Sequence, residues 1–359
     1  VVAIALTLAA CATQAPPRAA PSRGWRQTVT LSPDAQTLRA STCAPEAPLT
    51  LRVRDGDGAF TLEGATRTDD RVTSATPCVT RVLGLEAYRV TEGVFMVPHG
   101  AWLWPSAGAA PDRVTTRFVL PGDMSASVPW SPDGDTDLSA MLWEGYTVLG
   151  RFTHETLTLD GTVFDLARLD AAARPSIPLR AWLGGALATL RALDPDTPLP
   201  RVQLILTPGR LNGEAVRFGL VSRGGGRSIV FVVDPDARDA AWRADWQAPH
   251  EFIHLLQPVF FDGDAWLREG LATYYQEVLR ARTGAITARD AWRNLRRGLL
   301  YGAARPGDLT LADESAQMQR THRYTRVYWW GAALALELDV TVRRETGGRA
   351  SLDTALRAL

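Results

Sequence analysis

The chain has 359 residues, 46% hydrophobic and 22% charged, which is ordinary for a globular protein and long enough for two domains with real cores. Its 39 basic and 39 acidic residues cancel, so no charge excess points to nucleic acid or an anionic surface as partner. All 39 basic residues are arginine; with abundant Ala, Gly and Pro, this reads as coding bias and implies no mechanism.

Val1 to Ala10 is uncharged and apolar, too short to span a bilayer as a mature helix but suited to a signal-peptide core. It ends in Leu8-Ala9-Ala10-Cys11, which resembles the lipobox of bacterial lipoproteins. The resemblance implies cleavage before Cys11, lipidation of that thiol, and a lipid anchor to the membrane in the bacterial envelope, in the periplasm or outer membrane. The sequence is expected to start inside that signal, at residues 1–10. An exported compartment favours disulfides, and Cys43 and Cys78 remain to form one. Residues 11–24, rich in Pro and Ala, read as a tether.

Residues 25–170 show short alternating runs separated by turn residues. Leu49–Arg54 and Ala59–Glu63 flank Asp55-Gly56-Asp57-Gly58, a hairpin signature. Arg113–Leu120, Tyr146–Phe152 and Glu155–Leu159 are further strands. The region reads as an antiparallel β domain, a sandwich or saddle acting as scaffold.

The character changes over 171–359. Ala181–Arg191 has helical spacing and stops before Asp194-Pro195. Val202–Thr207 and Ser228–Val233 are buried-type strands, the second preceded by Gly224-Gly225-Gly226. Helices follow: one ending near Gln257-Pro258, then Trp266–Arg282, Asp290–Leu300 and Val327–Arg344. Pro249 either begins the first of these or kinks a longer helix from Asp239. The predicted class is α+β: an antiparallel β domain, then a mixed sheet with helices.

The first of those helices carries His250-Glu251-Phe252-Ile253-His254. Two histidines four apart project from one helix face, so both imidazoles can reach one ion. Glu269, fifteen residues after His254, can supply a third ligand from the following helix and leave the fourth position open. Glu251 then lies beside the metal, placed to act on a metal-activated water. The pattern reads as a catalytic Zn2+ site.

This motif, followed by Trp266-Leu267-Arg268-Glu269-Gly270-Leu271-Ala272-Thr273-Tyr274-Tyr275, resembles the gluzincin metallopeptidases. It is most similar to the glycyl aminopeptidase family (metallopeptidase family 61) and next to the aminopeptidase N family. The likeness spans Met141 to Leu359 and implies a thermolysin-like catalytic domain over 171–359 that hydrolyses peptide bonds in a peptide or protein substrate. It implies His250, His254 and Glu269 as zinc ligands, Glu251 as general base, and Tyr328, three residues before Gly331, as donor to the tetrahedral oxyanion. Two departures bear on specificity and extent. The family's Gly-Gly-Leu-Glu-His motif is represented only by Gly224 to Ser228 and lacks the acid, so exo- versus endo-cleavage stays open. Its C-terminal PDZ domain has no counterpart before Leu359, and truncation is expected there. The strand from Ser228 is the expected edge for pairing with an extended peptide.

Two other functional readings stand beside this one: a metal-free relative that binds peptides or envelope components, and a lipoprotein with a purely structural metal. His322 is the rival to Tyr328 but has the setting of a surface histidine; His99 and His154 read as structural. Asp133 to Asp137 with Glu144 imitates a calcium loop without the glycine required at its sixth position, and a helix cap before Leu138 fits better.

Overall fold

The computed structural model describes residues 24–53, 59–108, 113–131, 135–137, 141, 144–174, 177–210, 213–258, 262–305 and 307–358. The signal, Cys11, almost all of the tether, the Asp55–Gly58 turn and Asp133 lie outside these residues. The architecture is mixed α+β; the described residues form four sheets, and the helices gather in the second half of the chain.

The N-terminal half is built on a six-stranded sheet in the order Asp135–Asp137, Arg113–Val119, Trp25–Leu31, Thr37–Cys43, Cys78–Gly84, Phe60–Glu63. Period-2 alternation sets its faces: Trp25, Val29 and Leu31 turn inward while Arg26 is exposed. The core they enter also holds Leu38, Leu83, Phe95, Trp102 and Trp104. Cys43 and Cys78 sit opposite each other on neighbouring antiparallel strands and are joined as a disulfide.

The two described strands that flank residues 55–58 do not pair with each other. Leu49–Arg52 pairs with Arg71–Ser74 in a separate three-stranded sheet, and Phe60–Glu63 pairs with Cys78–Gly84. Alternation shows which face of a strand is buried, not which strand lies beside it, so both segments were legible and their partners were not.

The second half is organised by a five-stranded sheet in the order Thr153–Leu159, Thr162–Arg168, Arg201–Pro208, Ser228–Val233, Val216–Ser222. Its three central strands are parallel and its two outer strands antiparallel. Two corrections follow. Thr153–Leu159 and Thr162–Arg168, assigned from sequence to the β domain ending at residue 170, belong to this second sheet. Among the described residues Ser228–Val233 is internal; the edge beside it is Val216–Ser222, a strand that sequence reading missed because Phe218 and Leu220 are exposed and Gly219 interrupts the pattern.

Asp165 ties the halves together. It accepts hydrogen bonds from Ser127, on a strand of the N-terminal half, at 2.7 Å and from His154 at 3.1 Å, and it pairs with Arg201. Burial alone would raise its carboxyl, but His154, Ser127 and Arg201 outweigh burial and hold it below the usual carboxylate range. A depressed folded pKa contributes stability that is complete above the unfolded value and lost as pH falls through the folded one. Asp165→Asn should therefore flatten the acid limb of a stability–pH curve below about pH 4, read by thermal melts, relative to the wild type.

Candidate metal centre and active site

Asp245 separates two helices. It ends the Asp239–Ala244 helix, and its carboxylate accepts from the backbone N–H of Gln247 and Ala248 at 3.0 Å each. That satisfies first-turn donors of the Gln247–His254 helix, while Pro249, within the same turn, has no N–H to satisfy. The kink alternative is thus replaced by a clean break. His250 and His254, one turn apart, place their ring centroids 4.8 Å from each other.

The Ala265–Arg282 helix carries Glu269 and packs along the Tyr324–Glu345 helix, which carries Tyr328. Two glycines allow backbone contact at the crossing. A Cβ on Gly331 would lie 2.0 Å from the Trp266 carbonyl oxygen, and one on Gly270 would lie 2.3 Å from the Gly331 carbonyl carbon. Gly270 follows Glu269 directly and Gly331 lies three residues past Tyr328, so this close approach brings the phenol to the carboxylate.

Three ligand atoms converge. His250 Nε2 and His254 Nε2 are 3.2 Å apart, and each is 3.3 Å from Glu269 Oε2. The tautomers are fixed by amides. His250 Nδ1 is 2.8 Å from Gln276 Oε1 and His254 Nδ1 is 2.8 Å from Gln257 Oε1. Both amides are oriented by their own nitrogens, which donate to Glu277 Oε1 at 3.3 Å and to the Arg268 carbonyl at 2.9 Å. Each Nδ1 therefore carries the proton, and each Nε2 turns a bare lone pair toward the other and toward a carboxylate oxygen. Three acceptors facing one point repel unless a cation lies between them.

The triangle they form suits zinc: a tetrahedron with bonds of about 2.0–2.1 Å has edges of about 3.3 Å. No fourth His, Cys, Asp or Glu joins the group among the described residues. Gln276→Leu would strand the His250 Nδ1–H in a buried setting and release the tautomer. Zinc affinity should fall about 10–100-fold, measured by competition with a chromophoric chelator.

Glu251 is buried and belongs to no ligand group. Burial, with Glu269 nearby and partly offset by His250, pushes its carboxyl up to about 7. Its side chain lies flat on Gly219 of that edge strand, where an added Cβ would come within 2.3 Å of Glu251 Cγ. Gly219→Ala should displace the carboxylate and lower turnover up to about 10²-fold with zinc retained, checked by steady-state kinetics alongside metal analysis.

The Tyr328 ring is nearly parallel to His250, with centroids 6.1 Å apart and planes 11° apart. Burial, then the charges of Glu269 and Glu251, raise its phenol well above the ordinary value, so the hydroxyl keeps its proton. Glu269 presents Oε2 to both imidazoles. Arg268 Nε donates to its other oxygen at 3.1 Å. The rival His322 is exposed in a left-handed turn. His99 is buried against Trp130 and pushed down to about 3 by that burial, and His154 is bound to Asp165.

A chamber of about 600 Å³ opens beside His250, walled by Trp246, Tyr301, Tyr328 and Trp329. Sequence reading missed Gln257, Gln276, Arg268 and Gly219. The spacing held a signal for two of them: Gln276 lies seven residues after Glu269, on the same helix face, and Gln257 lies three after His254.

The Gly224–Gly226 run is a joint between the halves. Gly225, at φ +80°, leaves room for the Trp130 ring, which a Cβ would meet at 2.2 Å; a Cβ on Gly226 would meet the Pro129 carbonyl at 2.7 Å. The N–H groups of Arg223 and Gly224 donate to the Glu144 carbonyl at 3.1 and 2.7 Å.

No family model matches the chain, and no curated protein matches it. Solved structures do. An aminopeptidase N family protein from Idiomarina loihiensis superposes with a TM-score of 0.69 at 13% identity, over 93% of this chain and 69% of that one. A mutant M1 zinc metallopeptidase from Deinococcus radiodurans, bound to a Tyr-Ser-Ala substrate, gives 0.54 at 14% identity, over 94% and 86%. The same organism's M1 zinc metallopeptidase gives 0.52 at 16%, over 88% and 81%. The fold is thus shared with zinc metallopeptidases of the aminopeptidase N type.

Proposed function

We propose that this chain hydrolyses peptide bonds at a zinc site formed by His250, His254 and Glu269, with Glu251 as general base and Tyr328 as oxyanion donor. The observation that carries the reading is the meeting of two lone pairs and a carboxylate at tetrahedral spacing, beside a second carboxylate that ligates nothing. Zinc, when bound, supplies a Lewis acid that polarises the scissile carbonyl and acidifies water. Glu251 accepts the proton of the attacking water and returns it to the leaving amine. The Tyr328 hydroxyl donates a hydrogen bond to the oxygen that gains charge. The Val216–Ser222 edge holds the substrate backbone extended, with Gly219 keeping its approach to Glu251 open. The Tyr-Ser-Ala complex of the Deinococcus radiodurans neighbour supports a peptide as substrate class. The arrangement is read as gluzincin, with a thermolysin-like catalytic half, in a lipoprotein anchored through Cys11 in the bacterial envelope.

A peptide-library digest, with and without chelator and mapped by mass, tests the chemistry. Chelator-sensitive cuts that vanish in Glu251→Gln are expected. Absence of any such cuts from zinc-loaded protein would leave a peptide-binding role in their place. The mass of the N-terminal fragment of membrane-extracted protein tests lipidation of Cys11.

A further inference from the structure

The histidine helix and that edge strand run in the same direction, as three contacts establish. Gln247 Nε2 donates to the Val216 carbonyl, Glu251 lies on Gly219, and Arg223 donates to the His254 carbonyl and, at 2.6 Å, to that of Gln257. A peptide added to this edge in antiparallel register, the more stable pairing, places its carboxyl side toward Trp246 and its amino side toward Arg223.

The amino-side end is cationic. Arg223, Arg227 and Arg268 lie near enough that Arg223, lowered mainly by burial, is lowered further by the other two. Arg223 is occupied with the helix-end carbonyls, and the others are not comparably engaged. Arg227 donates only through Nε, to the Leu255 carbonyl at 3.4 Å. Its terminal nitrogens have no partner among the described residues, and burial holds its pKa down. Arg268 uses only Nε, on Glu269. Arg223 and Arg227 line a cavity of about 590 Å³ with Trp130, Ser131 and Gln257, where Asp137 is the single carboxylate among the described lining residues. An α-ammonium would meet repulsion there, and a carboxylate would meet unspent guanidinium donors.

We propose that the Arg227 end of the cleft binds a substrate carboxylate on the amino side of the cut bond, an acidic side chain within the peptide, so the enzyme cuts internally and not from a free amino terminus. This rests on the peptidase reading for its orientation, and binding tests it apart from turnover. The probes are fluorescent decapeptides blocked at both ends, with one Glu or one Gln walked through each position, measured by anisotropy on zinc-loaded Glu251→Gln protein.

Glu peptides should bind about tenfold tighter than their Gln counterparts at one or two positions, and the preference should shrink with salt. Arg227→Gln, verified by zinc content and melting, should remove the preference, and freeing the amino terminus should weaken binding. Equal binding of Glu and Gln peptides, tighter binding of free-amine peptides, or a gain confined to peptides with a free carboxyl terminus would each overturn the proposal. The salt titration decides the matter even where Arg227→Gln fails to fold. Wild-type protein that binds in the expected pattern but never cleaves defeats the peptidase reading and leaves this carboxylate site standing.

Discussion

Glu251→Gln should lower turnover by about 10²–10⁴-fold while zinc content and melting temperature stay at wild-type values. The two side chains have the same shape, so the packing against Gly219 that fixes Glu251 is preserved. Glu251 also lies outside the ligand group, so the amide removes no donor from the metal. What the amide lacks is a basic oxygen. Steady-state kinetics with metal analysis on the same sample reads both quantities. Turnover within threefold of wild type would remove Glu251 from the proton path, and loss of zinc would recast it as a structural support of the site.

Tyr328→Phe should cost about 10²–10³-fold in kcat, the usual loss for one oxyanion donor, with little change in KM. The ring stacked on His250 and the crossing at Gly331 are untouched by loss of the hydroxyl. Because burial and the neighbouring carboxylates keep the phenol protonated, it is a donor at any pH near neutrality. An interaction made only in the transition state lowers kcat and kcat/KM equally. An unchanged kcat would return Tyr328 to a packing role among Tyr324 and the chamber walls.

The site was far more legible in the sequence than the fold around it. His250, Glu251 and His254 are fixed by helix period alone, and Glu269 by the next helix, so local geometry suffices to bring them near each other. The hydrogen-bonding glutamines sit on the same two helix faces and were open to the same reasoning. Gly219 was not. Its role depends on a strand whose exposed Phe218 and Leu220 disguise it, lying across from a helix that begins 28 residues after Gly219. Strand partnership failed for the same reason at Leu49–Arg52, at Phe60–Glu63 and at the boundary near residue 170. Pairing is a long-range property that a repeating two-residue pattern does not encode. Tyr328 was reached through the resemblance alone, by its place three residues before Gly331, the glycine at which the two helices touch.

The glycine joint sets a limit on what can enter. Arg223 grips the last carbonyls of the histidine helix, and the turn just after it is seated on Pro129 and Trp130 of the other half. A clamshell motion of the two halves would pull on the very residue that holds the end of that helix, and so on His254. Admission by hinging would therefore disturb the catalytic geometry each time. The proposed guest is thus one that needs no hinging: a single extended strand laid along an open edge.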